Sequence, residues 1–223
     1  MYRVFKHNFL SPCVKDMCIS MEDADPVVGS KTFHFRDINE SMFNLVRHAL
    51  FKDVPVLAAD TVTFIQYDGP LEPEMVSHRI GQLPLRCTDG ASLVATFELN
   101  KFAEVAKSGL TWLTSTDIRC TSGNAEIVHY RSDRERRLAS GDDGFLIVPL
   151  HPGQRLHLTF TARVSTGREA TRWVSTACTP KFRPHYHITV ETTGSITPAA
   201  AMKAALQDII KKLNGLNTVV AGT

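Results

Sequence analysis

Apolar residues recur along two separated stretches of this chain at the spacing of one helical face, and between them the pattern changes to alternation. Ile38, Met42, Leu45, Val46, Ala49 and Leu50 stand at i, i+4, i+7, i+8, i+11 and i+12, which places them on one stripe of an α-helix. Asp37 followed by Glu40 reads as a capping box opening that helix. Pro55 disfavours helix at Val54, so the helix is expected to stop by about Asp53. Toward the other end of the chain, Thr197-Pro198 reads as an N-cap followed by proline at the first helical position. Met202, Ala205, Leu206, Ile209, Ile210 and Leu213 then recur at helical spacing, with Lys203, Gln207, Asp208, Lys211 and Lys212 on the other side and Asn214-Gly215 as the predicted end. Full burial of each large apolar side chain contributes roughly 1.5–3 kcal/mol, so both stripes call for a covering surface.

The residues between the helices read mainly as strands, at 58–64, 93–99, 127–130, 145–148 and 156–164, the last with clear apolar/polar alternation. Turn sequences such as Asp68-Gly69-Pro70, Asp89-Gly90 and Pro152-Gly153 separate them. A short helix is expected over 73–80 with Gly81 at its exit. Further strands are expected at 4–9, 17–21 and 31–36 before the first helix, and at 187–192 before the last. The fold class that follows is α+β, with a discontinuous helix-bearing domain formed by residues 1–55 and 181–223. A β-rich domain is inserted at 56–180.

Composition narrows the functions. Apolar residues at 43% and charged residues at 22% describe a folded globular chain. A net charge of +2 with dispersed Lys and Arg gives no reason to expect nucleic acid as the primary ligand. The longest apolar run, 145–150, is far short of the ~20 residues a spanning helix needs, so no membrane partner is expected. The first residues lack the apolar core of a secretion signal, and an intracellular location follows. Cysteines at 13, 18, 87, 120 and 178 include no CxxC pair, which argues against a disulfide framework or a thiolate zinc site.

Candidate chemistry is sparse. His185, His187 and Glu191 share one face of a predicted strand at a spacing compatible with metal ligation, and also with ordinary packing. His78-Arg79 reads as an acid/base and anion-binding pair or as part of a subunit junction, where a planar guanidinium offers several hydrogen bonds. Arg131, Arg134, Arg136 and Arg137 form the densest charge run, either a solvated loop or a contact for an acidic partner or nucleic acid. Trp112 and Trp173 are expected as core or interface anchors. Ser175, Thr176 and Cys178 have no His/Asp neighbours that would make a nucleophile.

Residues 43–55 (FNLVRHALFKDVP), then Ala58-Ala59-Asp60-Thr61-Val62 and His78-Arg79-Ile80-Gly81-Gln82-Leu83-Pro84-Leu85, together resemble the assembly subunit of multisubunit DNA-directed RNA polymerases. That family includes the bacterial alpha subunit, its archaeal equivalent and the third-largest subunit of nuclear polymerase II. Pro152-Gly153-Gln154-Arg155-Leu156, Trp173, and Val190-Glu191-Thr192-Thr193-Gly194-Ser195-Ile196 continue the resemblance in order along the chain. It implies that the discontinuous domain is a two-helix α/β dimerisation domain pairing with a smaller homologous subunit as a heterodimer. The pair would form a non-catalytic scaffold that nucleates assembly of the large catalytic subunits, with the magnesium-binding aspartates on other chains and no cofactor here.

Under that resemblance Asn44, Arg47, Asp60, His78 and Arg79 are expected to contact or support the second-largest subunit. Met42, Leu45, Ala49, Met202, Leu206, Ile209, Ile210 and Leu213 are expected at the dimer interface. Other small polymerase subunits are further expected partners, and DNA is met only through the complex. The expected location is the site of transcription, meaning the nucleus, or a virus factory or virion for a compact virus-encoded member. Where the family commonly carries two adjacent arginines this chain has Arg47-His48, and it lacks the cysteine cluster of some nuclear and archaeal members. The rival readings are a binding module of another complex and a metal-dependent enzyme around His185, His187 and Glu191.

Overall fold

The computed structural model describes residues 18–25, 30–87, 94–105, 109–129, 144–182 and 185–221. The expected strand at 4–9 and the Arg131–Arg137 run lie outside them. In chain order the elements are β1 (Cys18–Asp25), β2 (Ser30–Arg36), α1 (Glu40–Lys52), β3 (Val56–Tyr67), α2 (Pro73–Gly81), β4 (Leu85–Cys87), β5 (Val94–Phe102) and β6 (Thr111–Thr114). There follow β7 (Arg119–Ser122), β8 (Ala125–Ile127), β9 (Leu146–Leu150), β10 (Arg155–Ser165), β11 (Thr176–Lys181), β12 (Tyr186–Thr192) and α3 (Pro198–Ala221). They fall into two units, one of Met1–Pro55, Thr166–Arg168 and Val174–Thr223, the other of Val56–Ser165 and Glu169–Trp173.

In the first unit an antiparallel sheet of order β1-β2-β12-β11 carries α1 and α3. Alternation sorts its faces: Phe33, Phe35, Ile188 and Val190 are buried, while Thr32, His34, His187 and Thr189 on the opposite face are only half-buried. Helix α1 buries Phe43, Val46, Ala49 and Leu50. The Phe43 ring meets Phe35 at 5.6 Å, Phe182 at 5.2 Å and Tyr186 at 5.0 Å between centroids, so a residue off the predicted stripe forms the centre of this core. Helix α3 buries Ala201, Met202, Ala205 and Ile209.

Three local expectations are corrected. The N-cap of α1 is Asn39, whose side chain accepts from the Met42 amide at 2.8 Å, whereas Asp37 turns the chain at φ 57° after β2. Helix α3 does not stop at Asn214-Gly215 but continues through Gly215. Gly215 has no positive φ, and the Thr218 hydroxyl donates to its carbonyl at 2.7 Å. A helical glycine costs only about 1 kcal/mol, too little to end a long helix by itself. The return into the first unit begins at Val174 rather than 181, because β11 pairs with β12 from Thr176↔Thr192 to Lys181↔His187. Pro180 is tolerated there because β11 is an edge strand.

The second unit is built on an antiparallel sheet of order β3-β10-β5-β7, with β4–β8 and β6–β9 ribbons and α2 beside it. The predicted alternation in β10 buries Leu156, Leu158, Phe160 and Ala162, which meet Ala95, Phe97 and Leu99 of β5. Phe97 and Phe160 are register partners stacked 4.9 Å apart. Val76 and Ile80 of α2 and Leu113, Ile147, Val148 and Leu150 of the β6–β9 ribbon complete this core. The strand expected at 127–130 is displaced: β8 runs over Ala125–Ile127, where Ile127 pairs with Leu85, and residues 128 and 129 are not strand.

Candidate subunit interfaces

The covered and uncovered sides of α1 and α3 decide what the first unit can offer a partner. Ala49, Met202 and Ile209 are at most 5% exposed in the single chain. In the single chain they pack into its own core. Met42, Leu206, Ile210 and Leu213 are half-buried, and Leu45 is 40% exposed. Sequence reasoning passed over Phe51, 47% exposed, and Leu216 and Val219, 62% and 67% exposed. The misplaced helix end concealed the last two. The repeat Met202, Leu206, Ile209, Leu213, Leu216 alternates four- and three-residue steps, the spacing of a helix seam.

An ionic cluster ties the two helices together within this unit. The Asp53 carboxylate, its side chain 8% exposed, accepts from Arg168 at 3.1 Å and from Lys212 of α3 at 2.8 Å. Lys212 also pairs with Asp208 one turn earlier. Burial alone would raise the Asp53 pKa, but the hydrogen bonds and charges of Arg168 and Lys212 outweigh it and hold the carboxyl below its ordinary value.

Asn44 and Arg47 lie half-buried on α1. Arg47 Nη2 stands 3.2 Å from His48 Nε2, while its Nε is covered and has no hydrogen-bond partner. Burial pushes the Cys178 thiol up in pKa, with Arg47 opposing it. The Thr176 hydroxyl donates to the Leu50 carbonyl at 2.6 Å, a structural role, and Ser175 Oγ is buried without a partner.

The other expected contact residues belong to the second unit and have partners of their own. Asp60 accepts from Arg163 at 2.8 Å, and Arg163 also pairs with Glu169. Hydrogen bonds from Arg163 and Ser165 hold the Glu169 carboxyl down to about 2. Arg172 Nη1 donates to the Asp60 carbonyl at 2.8 Å. Both guanidinium groups lie over the buried Trp173 ring, at 4.6 Å and 5.1 Å from its centroid, and Trp173 Nε1 donates to the Arg163 carbonyl at 3.1 Å. Trp173 is thus the core anchor expected of it, while Trp112 is 55% exposed. Arg79 donates to the Ile147 carbonyl at 2.6 Å, pinning α2 to β9, and the exposed His78 lines an open groove with Glu74, Met75 and Arg79.

The alternative metal arrangement at His185, His187 and Glu191 is not assembled among the described residues. The His187 ring stacks on His34 at 5.3 Å, and Glu191 lies opposite Ala177 further along the sheet. Among the described residues no three His, Cys, Asp or Glu side chains are already gathered as a metal-holding group.

The family described as "RNA polymerase Rpb3/Rpb11 dimerisation domain" matches residues 32–213. The chain is 26% identical over 166 residues to subunit 3 of DNA-directed RNA polymerases II, IV and V of Arabidopsis thaliana, covering 67% of this chain and 52% of that one. It is 25% identical over 172 residues to DNA-directed RNA polymerase subunit Rpo3 of Methanosphaera stadtmanae, covering 74% and 61%. Rpo3 of Methanopyrus kandleri is 32% identical over 145 residues, covering 64% and 50%. The chain therefore spans about half to three fifths of the length of these curated relatives.

Proposed function

Because the chain belongs to the RNA polymerase Rpb3/Rpb11 dimerisation-domain family, we propose that it acts as a non-catalytic assembly subunit of a DNA-directed RNA polymerase. It pairs there with a smaller homologous subunit, and the pair supports the second-largest subunit and other small subunits. The observation that carries this reading is the extent of the family match, which runs from β2 through α1 and the whole second unit into α3.

The chemistry supports it. Asp60 and Arg79 are engaged in structural pairs, and the outer sides of the two helices carry exposed apolar area. Leu45, Phe51, Leu206, Ile210, Leu213, Leu216 and Val219 form the partner-facing set, supported from within by Ala49, Met202 and Ile209. Desolvating such side chains against a second helical pair stabilises association. Asn44 and Arg47 on one unit, and Asp60, His78 and Arg79 on the other, serve the large subunit. DNA is reached only through the complex, at the site of transcription.

The test is affinity purification of the tagged chain from its source, with mass spectrometry of what accompanies it. Recovery of both large polymerase subunits and a small homologous one is the expected result. Recovery of a different stable complex, lacking polymerase subunits, would replace this function.

A further inference from the structure

The last two turns of α3 are helical against their own sequence. Residues 214–221 read Asn-Gly-Leu-Asn-Thr-Val-Val-Ala, and all but Leu216 and Ala221 are poor helix formers. The Thr218 hydroxyl bonds back to the Gly215 carbonyl at 2.7 Å, a contact that works slightly against the helix. One glycine would not stop a long helix, but weak residues at nearly every position of its free end add up, and an end without packing frays. Packing among the described residues does not offset them: every residue from Asn214 to Val219 is exposed, Leu216 at 62% and Val219 at 67%.

The apolar positions indicate where the missing stabilisation comes from. Leu216 follows the buried Ile209 by seven residues and Val219 follows the buried Ala205 by fourteen, so the stripe that packs on the unit's own core continues, uncovered, into these turns. The match to the dimerisation-domain family reaches into this same helix and ends at Leu213, just short of Leu216. The uncovered stripe is therefore continuous with a domain built for pairing, and the partner that completes that domain is the one placed to cover it. We propose that residues 214–221 are a conditional helix, frayed in the chain alone and fixed when the smaller homologous subunit lays an apolar helix face over Leu216 and Val219. The inference rests on the assembly reading above. Association then carries an ordering cost, and a change that preforms these turns raises affinity. Gly215 is the handle: its φ is not positive and a Cβ there meets nothing within 4 Å, so alanine fits and favours the helix before the partner arrives.

Amide hydrogen exchange read by mass spectrometry, on the full chain alone and on the pair co-purified with the smaller subunit, tests this. Peptides from 214–221 should exchange about tenfold or more slowly in the pair than in the chain alone, while those from 201–209 are protected in both. Gly215→Ala should tighten the pair about two- to fivefold. Should the chain alone fail to fold, the pair still decides the matter: Leu216→Ser combined with Val219→Ser should release 214–221 to exchange while 201–209 stays protected. Equal exchange of 214–221 with and without the subunit, protection in the chain alone that rises with its own concentration, affinity not improved in Gly215→Ala, or 214–221 still protected in the double variant would each overturn the inference and leave the assembly reading standing. Failure to recover any smaller homologous subunit would overturn both.

Discussion

Asp53 combines three roles in one side chain and its backbone. It closes α1, accepts from Arg168 and reaches Lys212 of α3. Its carboxyl is more acidic in the folded chain than in the unfolded one. The ion pairs therefore add stability above the unfolded value of about 3.9, lose it as pH falls through the lower folded value, and add nothing below both. Asp53→Asn should lower the stability of the first unit by about 1–2 kcal/mol at pH 7, the exposure of both cations keeping the loss moderate. Urea melts across pH should show the difference between variant and wild type shrinking as the acid limit is approached. Trp173 holds the corresponding place in the second unit, 2% exposed beneath two guanidinium groups. Trp173→Ala should cost about 3–5 kcal/mol, read from the same melts, and Trp173→Phe distinctly less because the ring face remains.

Among the elements, α1 and α3 were largely legible because helical periodicity needs only a repeat of apolar positions, and both repeats are long. Their details were not. Phe43, the centre of the first core, lies beside the counted stripe and is recognised only when Phe35 and Tyr186 arrive from other elements. Asn39 won the N-cap over Asp37 through backbone geometry at β2's exit, which residue type does not reveal. Strand β11 reads Thr-Ala-Cys-Thr-Pro-Lys, with neither alternation nor β-branched apolar residues; pairing with β12 makes it a strand. The contact residues were named through family resemblance, and their separate partners, such as Arg163 for Asp60, depend on long-range pairing.

The two sides of α3 can be told apart by substitution. Ile209→Asp buries a charge in the chain's own core and should destabilise it by about 3 kcal/mol or more, seen in melts of the isolated chain. Leu213→Asp, on the outer shoulder, should leave those melts nearly unchanged while weakening capture of the small partner by about tenfold or more in co-expression and sizing.

For the whole molecule, the account is that one unit supplies a surface to be completed by another chain and the other supplies fixed polar contacts, while the chemistry of transcription belongs elsewhere in the complex. The family match spans both units, and apolar exposure at Leu216 and Val219 continues the α3 seam. A photoreactive amino acid placed at position 216, in chain recovered from its native complex, tests that claim most directly. The account predicts a single dominant adduct, mapped by peptide mass spectrometry to a helix of the smaller homologous polymerase subunit. Adducts only to water, or only to this chain itself, would contradict it.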